Sequence, residues 1–312
     1  MKLIRNLQEY FELIQTQSAN SDYVLFYDHR LGIACQDPHL FLIPIDDHLV
    51  HRGDGVFETL KFKNKKVYLL EEHLQRLQRS ARAIDLKLAC SLKELKKIIL
   101  ELCRLSQLAH GIISIFAGRG PGGFSVDWRE CTCPSLYVVI RKYQLKPESF
   151  WEKGVTACKV SIPAKQPYLA KMKTVNYLPN VLMKKEAVEK GYDYPFCFDE
   201  RGFLAEGCTE NVIIVDQQGK IVVPELQNAL SGTTLMRALE LIKQEQTFLF
   251  RPIVEGDIYE AREVILLGTT IDALSVVRYN DQPIYDVRPG PVSKRLRELL
   301  LVDQENYGLS FD

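Results

Sequence analysis

The chain of 312 residues has no excess of charge, because 40 Lys and Arg balance 40 Asp and Glu. A net charge of zero offers no electrostatic reason to bind nucleic acid or another polyanion. No apolar run approaches the roughly 20 residues of a membrane-spanning helix. Internal repeats and low-complexity segments are also absent. These absences predict a globular protein that acts on small molecules, with neither a nucleic-acid nor a membrane partner.

The eight cysteines are scattered, and none lies in the CxxC spacing that is typical of zinc and redox sites. Cys131 and Cys133 are the nearest pair, but no second pair lies close by, so we predict no metal site. The N-terminal segment lacks a compact apolar stretch and contains Glu9 and Glu12, which argues against a signal or transit peptide. Free thiols in a cytoplasmic protein are therefore expected.

Hydrophobic periodicity predicts strands and helices in both halves of the chain, hence the α+β class. The predicted strands are 23–27, 31–35, 56–62, 66–69, 111–117, 135–142, 154–161, 195–199, 211–216, 220–223 and 263–267. The predicted helices are 71–84, 92–106, 178–190, 233–243 and 292–302, with a further amphipathic helix at the N-terminus. Because the apolar pattern breaks at Lys146-Pro147-Glu148, we expect two domains, 1–145 and 146–312. The N-terminal helix is expected to pack on the body or on a partner subunit.

A lysine and a glutamate in the second half are the first candidates for catalysis. Lys171 and Lys173 precede a predicted helix among apolar residues, where the pKa of a lysine is lowered, as a Schiff-base nucleophile requires. Glu206 follows an apolar stretch and precedes Gly207. Such a pair suits a cofactor whose aldehyde bonds to the lysine and whose pyridinium nitrogen meets the carboxylate. Two surface lysines in a loop are the alternative at this stage.

Such a cofactor also carries a phosphate, and two Gly/hydroxyl clusters are suited to bind it. Ser231-Gly232-Thr233-Thr234 lies at the head of a predicted helix, where free backbone N–H groups attract anions. Gly268-Thr269-Thr270 follows a predicted buried strand. Neither cluster matches the P-loop or the dinucleotide-binding fingerprint. Arg76 is a candidate cation, although an arginine on an amphipathic helix is usually solvated.

The runs HRGDGVFETL, EEHLQRL, KTVNYLPNV, AEGCTEN, LSGTT and LLGTT together resemble the class IV, fold-type IV pyridoxal-phosphate family. That family includes D-amino acid and branched-chain aminotransferases and aminodeoxychorismate lyase. The order and spacing of the six runs agree with the family pattern over about residues 40–303, and the D-amino acid aminotransferase and lyase branch is the most similar. The resemblance implies a small N-terminal α/β domain and a larger C-terminal domain with a β-barrel-like sheet, which binds pyridoxal 5'-phosphate.

The resemblance also implies a role for each candidate residue. Lys173, which lies three residues before Asn176, would be the Schiff-base lysine in preference to Lys171. Glu206 would bind the pyridine nitrogen, and Arg76 would bind the phosphate. The remaining cofactor-binding residues would be Thr233, Thr234, Thr269 and Thr270 at the phosphate and Tyr177 at the phenolic oxygen.

The substrate contacts depart from the family pattern. Bacterial D-amino acid aminotransferases bind the substrate carboxylate through a tyrosine, an arginine and a histidine, and the matching places here hold Phe57, Phe124 and Val126. Arg119 or Arg52 would have to substitute for them. Thr59 matches the lyase branch, in which a threonine at this place contacts the substrate. The predicted substrate-binding residues are therefore Phe57, Thr59 and Arg119.

The resemblance implies a homodimeric aminotransferase that moves an amino group between an amino acid, of the D- or branched-chain type, and a 2-keto acid. A lyase that makes 4-aminobenzoate and pyruvate from aminodeoxychorismate is the alternative. Both reactions begin with the freed lysine removing the α-proton, so the sequence separates them poorly. A catalytically inactive cofactor-binding module is not favoured, because the lysine, the glutamate and the arginine are all present.

Overall fold

The computed structural model describes residues 2–312, which fold into two β-sheets with helices packed against them. The strands are β1 (Tyr23–Asp28), β2 (Ile33–Cys35), β3 (Gly55–Lys63), β4 (Lys66–Val67), β5 (Gly111–Gly118), β6 (Ser135–Lys142), β7 (Val155–Lys159), β8 (Tyr194–Phe196), β9 (Asn211–Val215), β10 (Ile221–Val223), β11 (Phe248–Phe250), β12 (Glu263–Gly268), β13 (Asp272–Tyr279), β14 (Gln282–Pro283) and β15 (Leu309–Ser310). The helices are α1 (Leu7–Ile14), α2 (His48–His51), α3 (Leu70–Ala83), α4 (Leu92–Leu105), α5 (Ser149–Lys153), α6 (Pro167–Ala170), α7 (Leu178–Glu189), α8 (Thr233–Ile242), α9 (Glu255–Tyr259) and α10 (Pro291–Tyr307). Short 3-10 turns lie at Pro38–Leu40, Trp128–Glu130 and Tyr285–Val287.

The first sheet is antiparallel and has the strand order β15-β4-β3-β5-β6-β1-β2. One of its faces packs on α3 and α4, with Leu60, Ile113 and Ile140 buried against helix residues such as Leu74 and Leu77. Each fully buried leucine or isoleucine of this kind contributes about 1.5–3 kcal/mol. The other face turns toward the second sheet and carries Phe57 and Thr59.

The second sheet is mixed and has the strand order β11-β10-β9-β12-β13-β7-β8. Its central strands β12 and β13 are buried on both faces, because α8 and α10 cover one face and a second apolar cluster covers the other. The sequence analysis missed β13, since seven of its eight residues are buried and the strand shows no alternation. Parallel pairing joins β7 to β13 and to β8.

The longer elements otherwise agree with the sequence-based predictions. Ser91 caps α4 by accepting a hydrogen bond from the Glu94 N–H, and Pro179 lies in the first turn of α7. The last helix is longer than predicted and ends at Tyr307. Strand β15 then pairs with β4, so the end of the chain returns to the first sheet. The division into domains 1–145 and 146–312 stays a prediction.

Contacts between the two sheets hold the site together. Buried Lys61 on β3 forms an ion pair with Asp272 at the start of β13. Just beyond β6, the Tyr143 hydroxyl donates to the Thr270 carbonyl at 2.7 Å. Every residue of α1 remains at least partly exposed. Of the helices within residues 2–312, none is both long and apolar enough to cross a membrane.

Candidate active site

A cavity of about 380 Å³ lies where the two sheets approach each other. Small-molecule sites usually have volumes of roughly 300–1,000 Å³. The predicted site residues that line it are Phe57, Thr59, Arg76, Lys173, Tyr177, Glu206, Thr233, Thr234, Thr269 and Thr270. The fold therefore brings together side chains that are separated by more than two hundred residues in the sequence.

The backbone around Lys173 is held against strand β3. Phe57 donates its N–H to the Lys173 carbonyl at 2.9 Å, and the Lys173 N–H donates to Ser80 Oγ at 3.1 Å. Asn176 donates from Nδ2 to the carbonyl of Gly53 at 2.9 Å. Gly53 has φ +64°, and a Cβ there would lie 2.3 Å from Asn176 Oδ1. The hydrogen bonds of Lys173 and Asn176 thus anchor the lysine segment to the start of β3.

The Lys173 side chain faces the cavity, whereas Lys171 is exposed at the surface. Lys173 Nζ donates to the Tyr177 hydroxyl at 3.1 Å and lies 4.5 Å from the centroid of the Phe57 ring. Burial, reinforced by the positive charge of Arg76, lowers the pKa of Lys173 to about 8. Burial also raises the pKa of the Tyr177 hydroxyl. A larger fraction of the Lys173 amine is therefore neutral near pH 7 than for an ordinary lysine.

The lowered pKa of Lys173 predicts how its reactivity depends on pH. Because the neutral amine is the nucleophile, the rate at which the protein reacts with an aldehyde such as pyridoxal phosphate should rise through about pH 8. Stopped-flow absorbance across a pH series measures this rate, with the Lys173→Ala variant as the background for other amines. A midpoint near 10.5, the ordinary lysine value, would contradict the prediction.

Arg76 is buried and not solvated, because strand β3 supplies a carboxylate for it. Glu58 accepts from Arg76 Nε and Nη2, both at 2.7 Å, and also pairs with His73 Nδ1 at 2.7 Å. His73 Nε2 in turn lies 3.1 Å from Thr233 Oγ1. Burial by itself would raise the pKa of Glu58, but the charge and hydrogen bonds of Arg76 and His73 bring it down to about 2. The pair holds the guanidinium in a fixed position at the cavity wall.

The same end of the cavity has free hydrogen-bond donors for an anion. Arg76 Nη1 has no hydrogen-bond partner among the described residues. Within residues 2–312, no side chain caps the N-terminus of α8, where Thr233 and Thr234 begin the helix. A Cβ at Gly232 would lie 2.0 Å from Asn211 Oδ1, so this approach requires glycine. An arginine beside an uncapped helix N-terminus fits a phosphate group.

Glu206 lines the same cavity. It lies two residues after Leu204, which pairs with Phe198 through an isolated β-bridge. Its Oε2 accepts a hydrogen bond from the Leu230 N–H at 3.0 Å. Burial raises the pKa of Glu206, and nearby Lys165 and Lys173 oppose that shift. A half-buried carboxylate with a backbone donor on one oxygen can accept a hydrogen bond from a protonated heterocycle on the other.

Residues 55–279 match the family model described as amino-transferase class IV. This match covers more than two thirds of the chain. The chain belongs to the class IV aminotransferases. The resemblance described above is thereby confirmed, and so is the prediction of an enzyme. Class IV aminotransferases use pyridoxal phosphate, which is therefore the cofactor of this aminotransferase.

Individual relatives agree with this membership. The aminotransferase is 33% identical to the chloroplastic D-amino-acid transaminase of Arabidopsis thaliana, over 95% of this chain and 80% of that protein. It is 27% identical to the D-alanine aminotransferase of Bacillus licheniformis, over 83% of this chain and 90% of that protein.

Solved structures agree with the predicted fold class. A branched-chain aminotransferase of the archaeon Thermoproteus uzoniensis, solved with norvaline, superposes with a TM-score of 0.82 at 22% identity, covering 91% of this chain and 97% of that chain. An Escherichia coli branched-chain amino acid aminotransferase superposes with a TM-score of 0.80 at 24% identity, covering 89% and 93%. The α+β, fold-type IV prediction is confirmed.

Arg119, the predicted substrate residue, does not line the cavity of the aminotransferase. Its guanidinium pairs with Asp54 at 2.9 and 3.0 Å and donates to the carbonyls of Ile84 and Asp85 just beyond α3. Arg52 is likewise occupied at the surface, where it donates to backbone carbonyls. Local acceptors hold both guanidinium groups, and neither side chain lines the cavity.

The sequence analysis did not identify Arg141 and Lys165, which line the cavity, or Glu58, which pairs with Arg76. Glu58 had a detectable signal, because strand alternation turns it away from Phe57 and toward α3, where His73 and Arg76 are three residues apart. Arg141 and Lys165 had no local signal that distinguishes them from surface cations.

Proposed function

We propose that this aminotransferase transfers the amino group of a D-amino acid to a 2-keto acid and holds its cofactor through Lys173, Glu206 and Arg76. The observation that carries the proposal is that all three side chains line one cavity. There the pKa of Lys173 is lowered and that of Glu206 is raised, and Arg76 is held by an ion pair. The donor class is supported by the 33% identity to a D-amino-acid transaminase over 95% of this chain.

When bound, pyridoxal phosphate supplies an aldehyde for a lysine amine and a ring that takes up the electron pair of the substrate α-carbon. Arg76 and the N-terminus of α8 would hold the phosphate. Glu206 would accept a hydrogen bond from the protonated ring nitrogen. The Lys173 amine, 3.1 Å from the Tyr177 hydroxyl, would remove the α-proton as a general base and deliver it to a different carbon than the one it came from, which is what leaves a keto acid as the product. The surrounding sheets withdraw these groups from bulk water.

Glu206→Gln is expected to retain bound cofactor but to lower kcat by about 100-fold, the scale of losing one electrostatic contact in the transition state. A glutamine amide cannot hold a proton on the ring nitrogen as a carboxylate does. The measurement is steady-state amino transfer beside the visible absorbance of the dialysed protein. Glu200→Gln, at an exposed turn position, is the matched control and should be unaffected. A kcat for Glu206→Gln within twofold of wild type would contradict the role of Glu206.

The lyase is a second candidate because Thr59, which matches the lyase branch, lines the cavity. Removal of the α-proton by Lys173 is common to both reactions, and the lyase would instead expel pyruvate. Purified protein should be incubated with D-alanine, L-leucine or L-glutamate plus a keto acid, and separately with aminodeoxychorismate. Transfer from D-alanine supports our proposal. Transfer from L-leucine alone would favour a branched-chain donor, and 4-aminobenzoate without amino transfer would favour the lyase.

A homodimer is part of the proposal. Two segments of the first half expose large apolar side chains that a second copy of the chain would cover: Leu42, Ile43, Ile45, Phe124, Val126 and Trp128. Sedimentation velocity should give a mass near twice the 35.8 kDa of one chain.

A further inference from the structure

Arg141, near the end of β6, borders two cavities. It lines the candidate active site and also a second cavity of about 440 Å³ on the same side of the first sheet. The second cavity is otherwise uncharged, with aromatic residues such as Phe26, Phe41 and Phe116 in its wall. Arg141 is half-buried there, so its guanidinium has lost part of its hydration.

The register of the first sheet puts Arg141 in a row of side chains that faces the second sheet. Lys61 on β3 pairs with Ile112 on β5, and Ile112 pairs with Arg141 on β6. Opposed residues of an antiparallel sheet share a face. At one end of this row the charge of Lys61 is neutralised by Asp272. Two strands away along the row, Arg141 has no side-chain hydrogen bond or ion pair within the part of the chain that the structure describes, residues 2–312.

A hydrogen bond fixes this end of β6 close to the cofactor cavity. Tyr143 lies two residues beyond Arg141 and therefore on the same side of the extended chain. Its hydroxyl donates to the Thr270 carbonyl at 2.7 Å. Thr270, Thr59 and Arg141 accordingly line one wall of the cavity that also contains Lys173. An anion bound there would lie beside the reacting amine.

We propose that Arg141 binds the α-carboxylate of the amino acid and keto acid substrates. This inference rests on the proposed amino transfer. The planar guanidinium has two parallel donors that match a carboxylate, and half-burial strengthens the contact. Every amino acid and keto acid substrate has an α-carboxylate, whereas only acidic substrates have a second carboxylate on the side chain.

The other cations at or near the cavity are committed elsewhere. Arg76 is paired with Glu58 and is already assigned to the cofactor phosphate, and Arg119 is paired with Asp54 outside the cavity. Lys173 is needed for proton transfer. Lys165 forms no ion pair among the described residues, but its Nζ lies over the Tyr177 ring, 4.5 Å from the centroid. Arg141 is therefore the arginine of the cavity wall that can accept a planar carboxylate without breaking an existing ion pair.

The test compares Arg141→Gln and Arg141→Lys with Lys142→Gln in cofactor-loaded protein. Lys142 is the next residue of β6 and is exposed, so its variant removes one positive charge from the same strand but from its opposite face. Calorimetry with propionate, a plain monocarboxylate, gives a Kd that does not depend on turnover. We expect Arg141→Gln to raise that Kd and the KM for D-alanine by about 10- to 150-fold. Arg141→Lys should restore part of the loss, and Lys142→Gln should change neither.

Cofactor absorbance should be equal in all variants, which separates substrate binding from an altered cofactor site. The proposal is overturned if wild type does not bind propionate, or if Arg141→Gln binds it as tightly as wild type. It is also overturned if the KM rises for D-glutamate but not for D-alanine, since Arg141 would then contact the side-chain carboxylate. If wild type transfers no amino group, the proposed donor is wrong, while the propionate titration still tests Arg141.

Discussion

Replacing Lys173 with alanine is expected to abolish amino transfer, with a fall in kcat of at least about 10⁴-fold. The substitution removes both the amine that bonds to the cofactor and the base that moves the α-proton. The visible absorbance of protein-bound cofactor should disappear after dialysis for the same reason. Initial rates with D-alanine and a keto acid, beside an absorbance spectrum of the dialysed protein, measure both effects.

Lys171→Ala is the matched control, because Lys171 lies two residues away but is exposed outside the cavity. We expect it to retain both the absorbance and the rate of wild type. If Lys173→Ala keeps either property, the assignment of the reactive lysine is wrong. If Lys171→Ala loses both, the two lysines have been assigned in the wrong order.

Glu58→Gln is expected to destabilise the cofactor-free protein by about 3–5 kcal/mol, as measured by chemical denaturation. Glu58 has 0% exposure and carries the negative charge that balances Arg76, which is itself 6% exposed. Glutamine keeps the shape of the side chain but leaves the guanidinium buried without a counter-charge. Inorganic phosphate should recover part of the loss, because an anion at the mouth of the site can pair with Arg76 and binds the folded state alone.

Glu71→Gln is the control for that experiment. Glu71 is an exposed residue of α3 that pairs with Lys96, and an exposed pair contributes about 0–1 kcal/mol. Its loss should therefore change the free energy of unfolding little, and phosphate should stabilise it as it stabilises wild type. Equal stability of Glu58→Gln and wild type would contradict a buried counter-ion role for Glu58. If phosphate stabilises Glu58→Gln no more than it stabilises wild type, the link between Glu58, Arg76 and the phosphate site is contradicted.

Much of the secondary structure was predictable because its signals are local. Strands β5 and β6 and helices α3 and α4 were predicted to within one residue at each end, since each presents one apolar face at the spacing of its own geometry. Strand β13 was not predicted, because both of its faces are buried and its sequence does not alternate. Strand β15 is two residues long and exists through its pairing with β4, far away in the sequence.

The residues of the candidate site likewise fall into those that the sequence predicted and those whose surroundings depend on the fold. Lys173, Glu206 and Arg76 were predicted from the resemblance of their motifs to the family, and all three line one cavity. The sequence proposed Arg119 for the substrate, but Asp54 and two backbone carbonyls occupy its guanidinium. Arg141 carried no signal in its own neighbourhood, since its surroundings are made by β3, β5 and the loop at Thr270.

The sequence by itself determined the family and the cofactor, through the resemblance of its motifs, and most of the longer elements, because the spacing of their apolar residues is local. The tertiary structure decided which carboxylate holds Arg76 and which arginine of the cavity wall has no ion pair among the described residues. The physical reason is that burial and charge pairing depend on distances between side chains. Glu58 and Arg76 are 18 positions apart, and Lys61 and Asp272 are 211 positions apart. Such distances follow from how the two sheets pack, which no local pattern encodes.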